Sequence, residues 1–340
     1  MSIAENVFQE ATLSARPIRD LGLRIAGSSL EPILAEFQAE LEHLGIRRVR
    51  PQFYLSTEWG VPFGTVNIAI PFYLARQELT ALHAEHWGYV EGASRADIFR
   101  YLRHEMGHVI NYAYELYEAE EWVKHFGSIT QPYVEEYRPE PFNHRFVIHL
   151  PGWYAQKHPD EDWAETFAVW MTPGRDWRAE YADWPEALAK LLYCGRTMAV
   201  LRDRDPPVSA EELDEDVNDL NYSVEQYYRT LALDPQELPR GLDGALRTIF
   251  NDFHSADSGS PRRPASALIR QLERELVANV FLWTGHFPER TQRLLRHLAE
   301  RADELKQVYP ADQERSVTVA VTTLVTALAM NYVHRGTYQS

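Results

Sequence analysis

The segment His104-Glu105-Met106-Gly107-His108 constrains this chain more than any other. On an α-helix, residues four apart share a face, so His104 and His108 present two imidazoles side by side with the Glu105 carboxylate next to them. Two zinc ligands and a general base have that spacing. The motif alone does not suffice: with 13 histidines among 340 residues, chance supplies such a match roughly a few per cent of the time. Its neighbours add weight. Ser94 and Asp97 read as a capping pair, and from there to Tyr117 there is no proline and one glycine, Gly107, which predicts one helix. Ile98, Leu102, Val109, Ala113 and Leu116 form its apolar stripe. His104 and His108 lie nearly opposite that stripe, with Asn111 and Glu115 beside them. Tyr101, Met106, Ile110 and Tyr112 leave little of the surface suited to open water, so the helix is predicted to be enclosed. Two buried imidazoles then need partners, and a metal ion satisfies both.

Catalytic zinc takes three protein ligands and keeps a position open, so a third ligand is expected downstream. The run His158-Pro159-Asp160-Glu161-Asp162-Trp163-Ala164-Glu165-Thr166-Phe167-Ala168-Val169-Trp170 supplies candidates. Pro159 suits the first helical position, the acidic run suits the positive helix start, and Pro173-Gly174 ends the element. Glu161, Asp162, Glu165, Ala168 and Val169 share one face, while Trp163, Phe167 and Trp170 read as core. The small Ala164 and Ala168 let this helix approach the first closely, and Glu165 is the expected ligand. Glu161, one turn earlier, competes for that role. Asp162 or Glu161 otherwise accepts the second ring N–H of a ligating histidine and fixes its tautomer.

Ala164-Glu165-Thr166-Phe167-Ala168 resembles the glutamate-ligand helix of gluzincins, the thermolysin-like superfamily in which HExxH is completed by a downstream Glu. More closely, Ile70–Ala75, Leu102–His108 and Tyr154–Trp170 together resemble a bacterial family of zinc-binding metallopeptidases, over about residues 45 to 200. The resemblance implies a zincin-like core, one Zn2+ per chain held by His104, His108 and Glu165, and hydrolysis of a peptide or protein substrate. Two departures stand out. Thermolysin has an acidic residue four places after its ligand Glu, where this chain has Val169. Many members of the bacterial family also carry an amino-terminal cysteine zinc ribbon, which a chain with Cys194 alone cannot build.

With such a site Glu105 is the general base, taking a proton from water and passing it to the leaving amine. A tetrahedral oxyanion needs a further donor, for which Tyr154 and His158 are the nearest candidates, with Tyr133 and Tyr137 more remote. Thr65 to Pro71 alternates with period two and reads as an edge strand able to hold a substrate backbone or simply to complete the amino-terminal sheet.

The fold class expected is α+β: a zincin-like core with a small amino-terminal sheet and an active-site helix, followed by a mostly α-helical carboxy-terminal region. Residues 1–90 form the α+β lead-in, with a helix over Leu30–Leu44 and strands near Val49–Ser56 and Thr65–Ile70. Residues 91–205 carry the metal helices and a supporting helix over Pro185–Leu201, with a boundary at Asp203-Arg204-Asp205-Pro206-Pro207. Residues 206–340 read as all helical, over Leu242–Phe253, Ala265–Trp283, Thr291–Tyr309 and Asp312–Val333, with an exposed loop at Asp257–Pro261. This region closes the cleft or serves as an association module. His254, His286, His297 and His334 lack ligand spacing and read as structural or surface residues.

A net charge of −16 argues against nucleic acid as a partner, since no basic stripe neutralises phosphates. The start Met1–Asn6 lacks the pattern of a secretory signal and a single cysteine excludes an internal disulfide, so a cytoplasmic location is expected. Val317 to Val333 is interrupted by Thr322, Thr323, Thr326 and Asn331 and reads as a buried helix rather than a membrane span. The rival readings are a zinc-stabilised binding or regulatory protein and a zinc hydrolase of a non-peptide amide. Structural zinc with three ligands and no cysteine is uncommon, which weighs against the first.

Overall fold

The computed structural model describes residues 14–134, 137–230, 241–252 and 261–338. The start Met1–Asn6, His254 and most of the loop expected at Asp257–Pro261 lie outside the described residues. Helix α1 (Leu30–Leu44) falls where its apolar spacing places it; Gly45 ends it in the left-handed conformation, and Leu30, Leu34, Phe37 and Leu41 are buried. Strands β1 (Gln52–Ser56) and β2 (Asn67–Pro71) pair in parallel, Gln52 opposite Asn67 and Ser56 opposite Pro71.

All five residues of β2 are buried, so the alternation read in the sequence does not separate a wet face from a dry one. Nor is its outer edge open beside Ala69, whose N–H donates to the Gly60 carbonyl at 2.8 Å. The expected substrate-holding edge is covered there, and the backbone along the cleft is the Glu58–Val61 stretch instead.

Helix α2 (Gln77–Trp87) leads to α3 (Arg95–Ala113), which carries the HExxH segment. Ser94 caps α3 by accepting the Asp97 N–H at 3.2 Å and donates to the Asp97 carboxylate at 2.8 Å. The helix stops earlier than its sequence pattern, because Glu115 adopts a left-handed φ of 50°. Glu115 is therefore not beside the histidine pair. From Tyr101 to Ala113 every residue but Arg103 is buried, and Arg103 forms a two-pronged ion pair with Glu40 at 2.8 and 2.9 Å.

After α4 (Glu120–Phe126), helix α5 (Pro159–Met171) packs directly on α3. Gly107 makes this possible: a Cβ there would sit 2.7 Å from the Ala164 Cα. The Trp163 indole N–H donates to the buried Gly107 carbonyl at 2.8 Å and pins the two helices together. Helix α6 (Pro185–Leu201) backs α5, as expected.

The hydrophobic core of this part does not end at Asp203–Pro207. It runs from Ile18 to Tyr228, because Val217 N–H donates to Leu55 O, Ile18 N–H to Tyr222 O, and α7 (Val224–Thr230) packs back. A second core begins at Leu246 and is built by α8 (Asp243–Ile249), α9 (Ala265–Thr284), α10 (Pro288–Glu304) and α11 (Glu314–Arg335).

That region is not wholly helical, since β3 (Asn251–Asp252), β4 (Arg262–Pro264) and β5 (Gln307–Pro310) form a small antiparallel sheet ordered β3-β5-β4. Lys306 at φ 51° breaks the expected Thr291–Tyr309 helix, and Val308 and Tyr309 pair as strand residues. The stretch Ala311–Arg335 is long and apolar enough to cross a membrane by length and composition. One stripe of it, Val317, Val321, Val325, Ala329 and Val333, is buried, so the expected buried helix holds for that face only.

Candidate metal centre

Helix α5 begins under strict local control. His158 accepts the Asp160 N–H on Nδ1 at 3.2 Å, and Pro159 occupies the first turn, where its missing N–H is no loss. Asp160, Glu161 and Asp162 then fill the first turn, where the helix dipole favours negative charge. All three are buried.

The donor atoms converge at the α3–α5 contact. His104 Nε2 lies 3.0 Å from Glu161 Oε2, His108 Nε2 lies 3.3 Å from the same oxygen, and the two Nε2 atoms are 3.2 Å apart. Tetrahedral zinc ligands at about 2.0–2.1 Å stand about 3.3 Å from one another, so the three atoms already describe one face of such a shell. His104, His108 and Glu161 could hold a metal ion, and all three are buried.

Glu165, the ligand expected from sequence, is placed elsewhere. Its Oε1 is 2.9 Å from His104 Nδ1, on the far side of the ring, and it accepts the backbone N–H groups of His149 at 2.7 Å and Leu150 at 2.8 Å. The two glutamates are thus placed the other way round from the expectation: Glu161 faces the shared point and Glu165 lies against Nδ1 of the His104 ring. Asp160 Oδ2 lies 3.0 Å from His108 Nδ1, at ion-pair distance but without hydrogen-bond geometry, and Asp160 is itself held by Asn111 Nδ2 at 2.6 Å and by the Tyr112 hydroxyl. Each imidazole has Nδ1 within 3.0 Å of a carboxylate oxygen and Nε2 toward the centre, and at His104 the Glu165 hydrogen bond is of the kind that fixes tautomer and ring orientation.

Electrostatics favour a cation there. Four buried carboxylates, Glu105, Asp160, Glu161 and Glu165, surround two imidazoles, and the nearby Lys190 ammonium is already committed to Asp162 at 2.6 Å. Burial alone would lower the His104 pKa, but its hydrogen bonds to Glu161 and Glu165 outweigh that and raise it to about 9. Glu161 is held well below the usual carboxylate range: burial would raise it, and the contacts with His108 and His104 overcome that.

Glu105 differs from its neighbours. It is 4% exposed, and its carboxylate has no hydrogen-bond partner among the described residues. Burial pushes its pKa up to about 7, against the pull of His104 and His108.

No family model, curated protein or solved structure matches this chain.

Two cavities meet at Glu105. One, of about 630 Å3, has His104, Glu105, His108 and Glu161 in its lining together with Phe63, Tyr112 and Tyr133. The other, of about 340 Å3, reaches from Glu105 and His104 toward α9 and α10, so the carboxy-terminal region does border the cleft. Tyr154 lines both and its ring centre is 5.6 Å from that of His104, which brings it beside the predicted ligands.

His158, the other donor candidate, is spent on structure: Nδ1 caps α5 and Nε2 donates to the Gln131 carbonyl at 3.0 Å. Of the remoter candidates, Tyr133 donates to Glu161 Oε1 at 2.6 Å, while Tyr137 donates to the Gly152 carbonyl at 2.6 Å. Asp160 was missed as a functional group because its place in an acidic helix start already accounted for it. The signal was available: two imidazoles carry four nitrogens, and Asp160, Glu161 and Glu165 are the carboxylates that reach them.

Proposed function

We propose that this chain is a zinc-dependent peptidase of the gluzincin type, with a zincin-like core in which His104, His108 and Glu161 hold the metal and Glu105 is the general base. One observation carries the reading: three ligand atoms 3.0 to 3.3 Å apart stand beside a buried, unpartnered glutamate where two cavities meet. The sequence resemblance to bacterial zinc-binding metallopeptidases supports the HExxH part of this reading, while it had implied Glu165 rather than Glu161 as third ligand. Zinc, when bound, supplies Lewis-acid polarisation of a carbonyl and of water at that point.

The chain's own groups do the rest. The Glu105 carboxylate takes a proton from water as the new C–O bond forms, and returns it to the amide nitrogen as the C–N bond breaks, so water and peptide give an acid and an amine. In this reading Tyr154, whose ring stands beside that of His104, is the donor to the developing oxyanion. Asp160 and Glu165 hold the two rings so that both Nε2 atoms face the same point.

Metal content by mass spectrometry, joined to a peptide-library digest, tests this. About one zinc per chain is expected, lost in His108→Ala and Glu161→Gln, kept in Glu105→Gln, and weakened about 10- to 100-fold in Glu165→Gln. Full zinc in Glu161→Gln with loss in Glu165→Gln would return the ligand role to Glu165. Cleavage of library peptides by wild type and not by Glu105→Gln is the second expectation, and zinc without any cleavage would sink the peptidase reading.

A further inference from the structure

On the far side of α3 from the metal ligands, a cavity of about 250 Å3 lies between the end of α1, the last turns of α3 and α5, and α6. It shares no lining residue with the two cavities at the metal centre. Ile110 in its floor is two residues beyond His108, about 200° further round the helix, and so faces away from the histidine pair.

The floor is apolar, with Ile110 and Met198 buried and Trp170 half-buried. The charged residues of the lining are all arginines, Arg47, Arg48 and Arg202, in a chain with 50 acidic residues against 34 lysines and arginines. Arg48 has a carboxylate partner, Asp205, at 3.1 Å. Arg47 and Arg202 form no hydrogen bond or ion pair among the described residues. The Arg202 guanidinium is nevertheless held in place, because it lies across Gly45, where a Cβ would stand 2.7 Å from its Nε. Gly195, also in the lining, puts no side chain over the Trp170 indole: a Cβ there would be 3.2 Å from Nε1, and that N–H has no acceptor among the described residues.

We infer that this cavity binds a small amphipathic anion, with a carboxylate or phosphate head met by Arg47 and Arg202 and an aryl or alkyl body lying over Ile110, Trp170 and Met198. A guanidinium fork matches the oxygens of either head, and the Trp170 N–H is a further donor in the same lining. An inorganic anion would leave the apolar floor uncovered. A neutral apolar molecule would strip water from the arginines and give them no acceptor, and a cation would be repelled. The volume falls just below the roughly 300–1,000 Å3 of pockets for drug-sized ligands, which suits a smaller molecule. No group of the metal centre takes part, so this site stands or falls apart from the peptidase reading.

Calorimetric titration of the full chain with four probes tests it. The probes 4-phenylbutyrate and phenyl phosphate carry head and body, 4-phenylbutyramide the body alone, and acetate the head alone. At least one of the first two is expected to bind about tenfold or more tighter than the amide and than acetate, and the tighter of the two identifies the head. Arg47→Gln and Arg202→Gln should each weaken that anion about fivefold or more and leave the amide unchanged. Ala199→Trp, which sets a large ring at the exposed rim of the cavity, should weaken both. Arg229→Gln, at an exposed partner of Glu225 on α7, should alter neither. All four substituted side chains are exposed, so unchanged thermal unfolding is expected throughout. An anion bound at the metal centre would not respond to these substitutions. Binding of both anions no tighter than that of the amide or acetate, no binding of either anion at millimolar concentration, or an anion preference that survives both arginine variants overturns the inference.

Discussion

Glu161 and Glu165 lie one helical turn apart on the same face, yet they do different things, and the difference is set by single atoms around them. Glu165 reaches two backbone N–H groups, those of His149 and Leu150, and is fully buried against them. Glu161 has no such cradle; its oxygens meet the Tyr133 hydroxyl and the two Nε2 atoms. A carboxylate already satisfied by backbone donors has little left to offer a metal ion, whereas one facing two imidazole nitrogens could hold one with them. Gly107 sets the distance over which this works. Its missing Cβ would fall 2.7 Å from the Ala164 Cα, and main chain cannot turn aside as a flexible side chain can. Gly107→Ala is therefore expected to cost about 1–3 kcal/mol in a denaturant titration, and to weaken zinc binding by pushing Glu161 away from the histidines. Unchanged stability and zinc affinity in that variant would mean that the α3–α5 spacing is not what builds the site.

At the level of elements, α1, α3, α5 and α6 were legible because long amphipathic or capped helices write their limits into the chain. The two histidines of α3 and the carboxylate-rich start of α5 were legible for the same reason. Which carboxylate meets the imidazoles was not, because it depends on how α5 is rotated and advanced along α3. Gly107, Ala164 and the Trp163 indole bond set that, and a sequence does not reveal it. The sheets were least legible, since β3, β4 and β5 are short and owe their pairing to distant segments. His158 shows how a helix start can imitate a catalytic residue. As the cap of α5 it is replaceable by another residue that accepts the Asp160 N–H. His158→Asn should lose no more than about 1 kcal/mol in thermal or chemical unfolding and keep peptide cleavage within a few fold of wild type. A drop of about 100-fold or more in kcat at unchanged stability would instead make His158 the oxyanion donor.

At the scale of the whole molecule, the two largest hydrophobic cores among the described residues each have a buried histidine beside them. His83 on α2 bonds to the Tyr228 hydroxyl at 3.1 Å, and His286, between α9 and α10, bonds to Thr291 Oγ1 at 2.7 Å and to the Tyr338 hydroxyl at 2.8 Å. Burial lowers both pKa values to about 3, with His86 adding to the shift at His83 and Arg290 at His286. The unfolded chain takes up these protons near pH 6.5, whereas the folded chain refuses them until about pH 3. Between those limits the unfolded state binds more protons, so stability falls as pH falls, by up to about 1.4 kcal/mol per pH unit for each histidine. Above pH 6.5 neither state is protonated at these positions and their contribution is flat. Denaturant titrations from pH 7.5 to 4.5 should show that decline, with a shallower slope in His83→Phe and again in His286→Phe. Because the two histidines belong to different cores, the pair also reports on coupling. If the cores unfold together, both substitutions flatten the same single transition; if they unfold separately, each flattens only its own. Identical slopes in wild type and both variants would show that neither imidazole is kept neutral by the fold.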